Sequence, residues 1–134
     1  MLIFRSGTNI PFLCPKCKAG SLKIVSSIEL APDSHSDEIS VQIIKCSHCG
    51  FNGLALYEAS RRGALNRESV AHRGYYVNPA KLSALHRLIK QCPEPRNSRC
   101  LCEVHRAIGN VNAYGRWNGL KDIFNTASFT IQLR

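Results

Sequence analysis

The chain reads as an α+β protein: a β-hairpin module in front, a small basic helical part behind it, and a closing C-terminal strand. Three observations carry that reading. Two Cys-x-x-Cys pairs bracket two stretches rich in Ile, Val and Ser, one later segment places apolar residues on a single helical face behind a good cap, and the last residues alternate apolar with polar. At 134 residues, 44% hydrophobic and 20% charged, the chain suits one modest globular domain, or a metal-stapled module with a helical extension.

Residues 10–13, Ile-Pro-Phe-Leu, predict a short strand leading into Cys14-Pro15-Lys16-Cys17. Residues 22–30 and 39–45 predict two further strands, and the Ala-Pro-Asp-Ser-His-Ser-Asp-Glu between them is turn-forming, so the pair makes a hairpin. Its second strand delivers Cys46-Ser47-His48-Cys49 beside the first pair, and Gly50 permits the positive φ that such a knuckle needs. One Cys-x-x-Cys turn aims two thiolates at one ion, and two such turns complete a tetrahedron. Cys14, Cys17, Cys46 and Cys49 therefore predict a closed, structural Zn2+ site. A redox dithiol would need a βαβ surround, which is missing, and would leave the second pair unexplained. Iron fits the same four sulfurs. His48 and His35 are expected at the surface.

The run Cys-Pro-x-Cys, hairpin, Cys-x-x-Cys-Gly-Phe resembles a zinc ribbon, the small fold of transcription factors, RNA polymerase subunits and many nucleic-acid enzymes. The resemblance covers residues 10–57 and reaches a superfamily rather than one protein. The 28 residues between Cys17 and Cys46 exceed the usual spacing of roughly 15–20, and longer strands with an eight-residue loop account for the excess. Transcription-elongation members place an acidic pair on such a tip. Asp33, Asp37 and Glu38 lie there in this chain, where the plainer reading is a solvated loop. The chain is thus divided into a ribbon, residues 1–57, and a basic helical region, residues 58–134, packed on it as one unit.

Residues 54–57 are expected to finish the ribbon sheet. Residues 57–62 have helix-forming composition stopped by Gly63, and a second helical turn is predicted over residues 66–74. The clearest helix has Asn78 as cap and Pro79 in the first position, with Leu82, Leu85, Leu88 and Ile89 on one face and Lys81, Arg87 and Lys90 on the other. Cys92-Pro93 ends it. Cys92, Cys100, Cys102 and His105 then form a complete Cys3His set, with Cys102 and His105 one helical turn apart, and predict a second zinc site. The competing reading makes these thiols small core hydrophobes. Seven cysteines divide as four plus three with none left over, and His72 and His86 are reserve ligands.

Charge is uneven. Residues 1–60 hold five Lys/Arg and five Asp/Glu, whereas residues 61–106 hold ten against three. Arg61, Arg62, Arg67, Arg73, Lys81, Arg87, Lys90, Arg96, Arg99 and Arg106, with Tyr75 and Tyr76 among them, are the candidate nucleic-acid contacts, because guanidinium forks bind phosphates and tyrosines stack on bases. Further on, Trp117 before Asn118-Gly119 should pack on the helices. Phe129, Ile131 and Leu133 predict a half-buried strand, with Leu2-Ile3-Phe4 as a possible partner.

The expected function is a nonenzymatic zinc-binding accessory protein of transcription or nucleic-acid processing that contacts DNA or RNA. A zinc-ribbon adaptor between proteins is the alternative. An enzyme would have to use Cys92, Cys100, Cys102 and His105 around an open zinc with Glu103 as base, yet the deaminase pairing of His-x-Glu with Pro-Cys-x-x-Cys is absent. The chain has no run of about 18 apolar residues and too short an apolar start for a secretory signal. No membrane or small-molecule partner is expected, and the location is cytoplasmic, or nuclear in a eukaryote.

Overall fold

Strands β1 (Leu22–Leu30), β2 (Glu38–Cys46) and β3 (Asn52–Ser60) are followed by β4 (Ser69–Tyr75), helix α1 (Pro79–Gln91), helix α2 (Glu103–Ile108), the single turn α3 (Lys121–Phe124) and β5 (Ser128–Thr130). The structure is a computed structural model and describes residues 11–61 and 69–132. All strand pairs are antiparallel, in the order β1-β2-β3-β4-β5.

The predicted hairpin forms, with Leu22 opposite Cys46 and Leu30 opposite Ile39, and a bulge between Ile24 and Ser26. Residues 57–60, expected as helix, instead extend β3, and residues 69–74 are strand rather than a helical turn. The reason is tertiary: β2 offers a long free edge, Glu58 and Ala59 pair with Ile39 and Glu38, and β4 then pairs along β3 to Ser60. Residue 57, the expected boundary, falls inside β3. Residues 62–68, including the predicted stop at Gly63, lie outside the described residues.

The two faces of the sheet bury different things. Ile28 and Leu30 of β1, Ile39, Val41 and Ile43 of β2 and Leu54 of β3 pack against Leu82, Leu85 and Ile89 of α1, with Val104 and Ile108 of α2 completing this core. The α1 cap is as predicted: Asn78 Oδ1 accepts from the Ala80 N–H at 2.7 Å. Leu88, expected on the buried stripe, lies at its rim and is 40% exposed. Trp117 joins the core edge-on to Phe124 and donates its indole N–H to the Ile108 carbonyl at 2.7 Å.

On the opposite face the sheet curls over Phe12, Leu22, Ile44 and Ala55, with Phe129 and Ile131 packed against them. Phe12 exchanges both backbone hydrogen bonds with Leu22, and the Leu13 N–H reaches the Gln132 carbonyl at 2.9 Å, so residues 12 and 13 tie the first strand to the continuation of the last. β5 pairs with β4, and the ring of Phe129 lies where a Cβ on Gly74 would sit, which is why that position is glycine. Leu2, Ile3, Phe4 and Leu133 lie outside the described residues.

This concave face also carries polar groups. Gln42 is fully buried and its Oε1 lies 2.8 Å from His72 Nε2, while Gln42 Nε2 reaches Ser40, whose hydroxyl donates to Glu29 at 2.7 Å. Phe12 and Tyr57 contact the His72 ring edge-on. Burial pushes His72 down from 6.5 to about 4. The acidic loop is likewise structural. Asp33 is buried, its Oδ1 accepts from the N–H groups of His35 and Ser36, and its Oδ2 accepts from the Trp117 N–H and from Arg116. Exposed His35 is the part of that loop that meets the expectation.

His72 is neutral when folded and ionises more readily when unfolded, so its stabilising contribution is complete above pH 6.5 and lost as pH falls through about 4. The loss amounts to about 3 kcal/mol. In urea unfolding followed at pH 7 and pH 4.5, wild type is expected to lose more stability than His72→Gln, and parallel losses would refute the assignment.

Candidate metal centres

The two Cys-x-x-Cys turns adopt the same backbone twice. Cys14 N–H bonds the Ala19 carbonyl and Lys18 N–H the Cys14 carbonyl, and Cys46 N–H bonds Phe51 while Gly50 N–H bonds Cys46. The residue after each second cysteine turns left-handed, Lys18 at φ 67° and Gly50 at φ 82°. Glycine adopts this conformation freely and lysine at some cost. Backbone N–H groups then point at sulfur: Lys16 N–H to Cys14 Sγ at 3.4 Å, and His48 N–H to Cys46 Sγ at 3.3 Å.

Cys14 and Cys49 sulfurs lie 3.7 Å apart, as do those of Cys17 and Cys46, and all four sulfurs fall within 4.8 Å of one another. A disulfide requires about 2.05 Å, and all seven cysteines are free. A tetrahedron with metal–sulfur bonds of about 2.3 Å has edges of about 3.8 Å. The geometry therefore has the dimensions of a metal thiolate centre. Cys46 is drawn down to about 6, burial being outweighed by donation from Ser21 Oγ at 3.2 Å and from the N–H groups of Cys49 and His48. Cys17 goes the other way, to about 11: its Ala19 N–H contact lowers it, but burial and the neighbouring sulfurs win.

The second set lies between the ends of two helices. Cys92 is the C-cap of α1, successive turns through Glu94, Asn97 and Cys100 fold residues 93–100 back on themselves, and Cys102 caps α2 by accepting from the His105 N–H. Cys92 Sγ lies 3.8 Å from Cys100 Sγ, 3.5 Å from Cys102 Sγ and 3.1 Å from His105 Nδ1. Cys102 Sγ is 3.5 Å from the same nitrogen. These four atoms also fall within 4.8 Å of one another. His105 Nε2 lies 2.9 Å from the Glu29 carbonyl. A carbonyl can only accept, so Nε2 carries the proton and Nδ1 presents its lone pair to the sulfurs, the arrangement of a ligating imidazole. Cys102 is drawn down to about 6, first by the His105 N–H, and burial pushes Cys92 up to about 11. Of the reserve ligands, His72 lies within the sheet and His86 on the flank of α1, and neither belongs to a set.

Both sets supply four protein ligands, which leaves no coordination position for water or substrate. Glu103, the base an enzyme would need, is exposed in the first turn of α2.

The candidate nucleic-acid residues are dispersed. Arg61 is held by Glu38 at 2.9 Å, and its backbone N–H donates to Asp37. Arg73 is exposed on β4 near Ser128, Lys81, Arg87 and Lys90 are exposed on α1, Arg96 and Arg99 on the loop of the second set, and Arg106 on α2. Arg62 and Arg67 lie outside the described residues. Tyr75 packs on Phe124 with centroids 4.7 Å apart, whereas Tyr76 is 41% exposed. The sequence reading passed over Lys16, Lys23 and Lys45. Lys23 lies directly across from Lys45, and Lys16 is in the first knuckle, so all three gather at the knuckle end of the hairpin. The signal was present: no carboxylate occurs in residues 11–28 or 39–57.

Compared with known proteins, the chain matches no family model, no curated protein and no solved structure.

Metal analysis of protein purified without added metal is expected to find two equivalents per chain. Cys46→Ser and Cys102→Ser should each remove one equivalent and leave the other, and a full complement in either variant would overturn that assignment.

Proposed function

We propose that both centres hold structural zinc and that the chain is a nucleic-acid-binding accessory protein built on a zinc-ribbon-like hairpin, serving transcription or nucleic-acid processing. The two equivalent knuckles at the root of an antiparallel hairpin support the ribbon reading, and the closed ligand sets support a structural rather than catalytic metal. Cys14, Cys17, Cys46 and Cys49 would hold one ion, and Cys92, Cys100, Cys102 and His105 the other.

The observation that carries the nucleic-acid reading is a polarity along the hairpin. Lys16, Lys18, Lys23 and Lys45 occupy the knuckle end, while Glu29, Asp33, Asp37, Glu38 and Glu58 occupy the loop end. Lys45 and Glu38 lie seven strand residues apart, about 23 Å at the usual rise. The acidic end meets cations of the same chain, Arg61 on Glu38 and Arg116 on Asp33 and Glu58. Helix α1, beside the basic end, contains no carboxylate. A surface of cations without local carboxylates among the described residues attracts a polyanion. Among the described residues no helix is long and apolar enough to cross a membrane.

Binding of this kind weakens with salt because each phosphate contact releases counterions. With about four contacts to a single strand, affinity measured by fluorescence anisotropy should fall roughly 50-fold between 50 and 200 mM salt. No binding at micromolar protein in 50 mM salt, or affinity indifferent to salt, would defeat the reading.

A further inference from the structure

We infer that single-stranded nucleic acid, rather than duplex, is the ligand, and that it lies in the groove between the metal knuckles and helix α1. This inference rests on the nucleic-acid reading above and gives it a location. The groove has a volume of about 760 Å3, and its walls carry Lys16, Lys45, Phe51, Asn52, His86 and Arg87. Among the described residues its walls carry three cations and no carboxylate. Among the described residues, Lys16, Lys45 and Arg87 have no carboxylate within ion-pair distance.

One further observation points to an anion. Lys23 and Lys45 are directly opposed across β1 and β2, a like-charge pairing that a sheet tolerates poorly without a counter-charge. With zinc bound, the four-thiolate centre would carry a net charge of about −2. Lys16 and Lys18 in the first knuckle can offset that charge, which leaves Lys23, Lys45 and Arg87 still uncompensated.

The shape selects the strand type. In a duplex the base edges are reached by an element that protrudes into a groove of the nucleic acid. Here the cations line a concavity between sheet and helix, which a convex duplex cannot enter and a single strand can follow. Phe51 borders the groove, while its ring packs edge-on to Tyr76 and Phe129 at centroid distances of 5.9 Å in the core on the other face of the sheet. Asn52 adds a polar side chain in the register position next to Lys45. The track does not end there. Val25 also borders a second groove of about 690 Å3 that carries Lys90, Arg96 and Glu94. A strand passing Val25 would meet cations in both grooves.

The test uses the full chain with its metal content verified, twelve-nucleotide single-stranded DNA and RNA oligomers, and a duplex of equal length, read by anisotropy in 50 mM salt. Single strands should bind at least tenfold more tightly than the duplex. Lys45→Glu and Arg87→Glu should each weaken single-strand binding tenfold or more and lower the salt slope by about 0.7. Lys121→Glu, on the single turn α3 away from the groove, makes the same charge change and should cost less than twofold. Arg87 lies on an exposed helical position, so Arg87→Glu keeps the test valid if Lys45→Glu loses metal. A duplex bound as tightly as the strand, or Lys121→Glu as damaging as Arg87→Glu, would overturn the groove while nucleic-acid binding stands. No binding of any oligomer would instead remove the reading on which the groove rests.

Discussion

Four sulfurs within 4.8 Å of one another at the root of the hairpin are a configuration that the polypeptide cannot keep favourable by itself. As thiols they gain little from one another, and as thiolates 3.7 Å apart they repel. Yet the backbone is already committed to the arrangement: two identical knuckles, N–H groups aimed at sulfur, and Lys18 in a left-handed conformation that a side chain disfavours. A divalent ion would resolve the conflict. Its binding to such a set is worth about 10–16 kcal/mol, comparable with the whole net stability of a domain, about 5–15 kcal/mol. Removing the ion would therefore affect the packing that the knuckles organise, from Phe12 and Leu22 to Ile44.

The second set depends on the same sheet through one residue. Glu29 turns its side chain toward Ser40 and the buried Gln42–His72 pair, while its backbone faces outward, donating to the Pro95 carbonyl at 2.7 Å and accepting from His105. The outward hydrogen bonds cover part of the outer edge of β1, which would otherwise be open to another chain. They also fix the imidazole tautomer that a metal requires. The second set is thus joined to the sheet by the group that makes His105 a competent ligand, so disturbance of β1 near Glu29 would reach the ligand set without touching a sulfur.

Much of this was legible from residues alone, for physical reasons that also mark where legibility stops. The cysteine spacings, the hairpin and the cap of α1 are local signals, and Cys102 with His105 one turn later is a helical one. The extension of β3 was hidden because Tyr57, Glu58, Ala59, Ser60 and Arg61 have helix-favouring composition, and the alternation of Leu54 and Leu56 against Ala55, Tyr57 and Ala59 becomes meaningful only beside the free edge of β2. Asp33 looked like a solvated loop residue because its partners Arg116 and Trp117 are more than 80 positions away. His72 has no sequence signature at all, since its burial depends on how Phe12, Gln42 and Tyr57 meet across the curl of the sheet.

Charge shows most directly how folding changes what composition means. Taken as a block, residues 1–60 sum to zero, and a neutral module is an unpromising partner for a polyanion. The antiparallel turn separates the signs instead of mixing them. Residues 29 and 38 come together at one end, residues 23 and 45 at the other. Arg61 and Arg116, drawn from outside the hairpin, then neutralise the acidic end by direct contact. What remains is a basic end that no local carboxylate among the described residues balances, placed by the same strand register that converges the sulfurs. Any change that slipped β1 against β2 by one residue would turn Lys45 to the opposite face and move Cys46 out of its set together, so the basic end and the sulfur set are consequences of a single geometric fact.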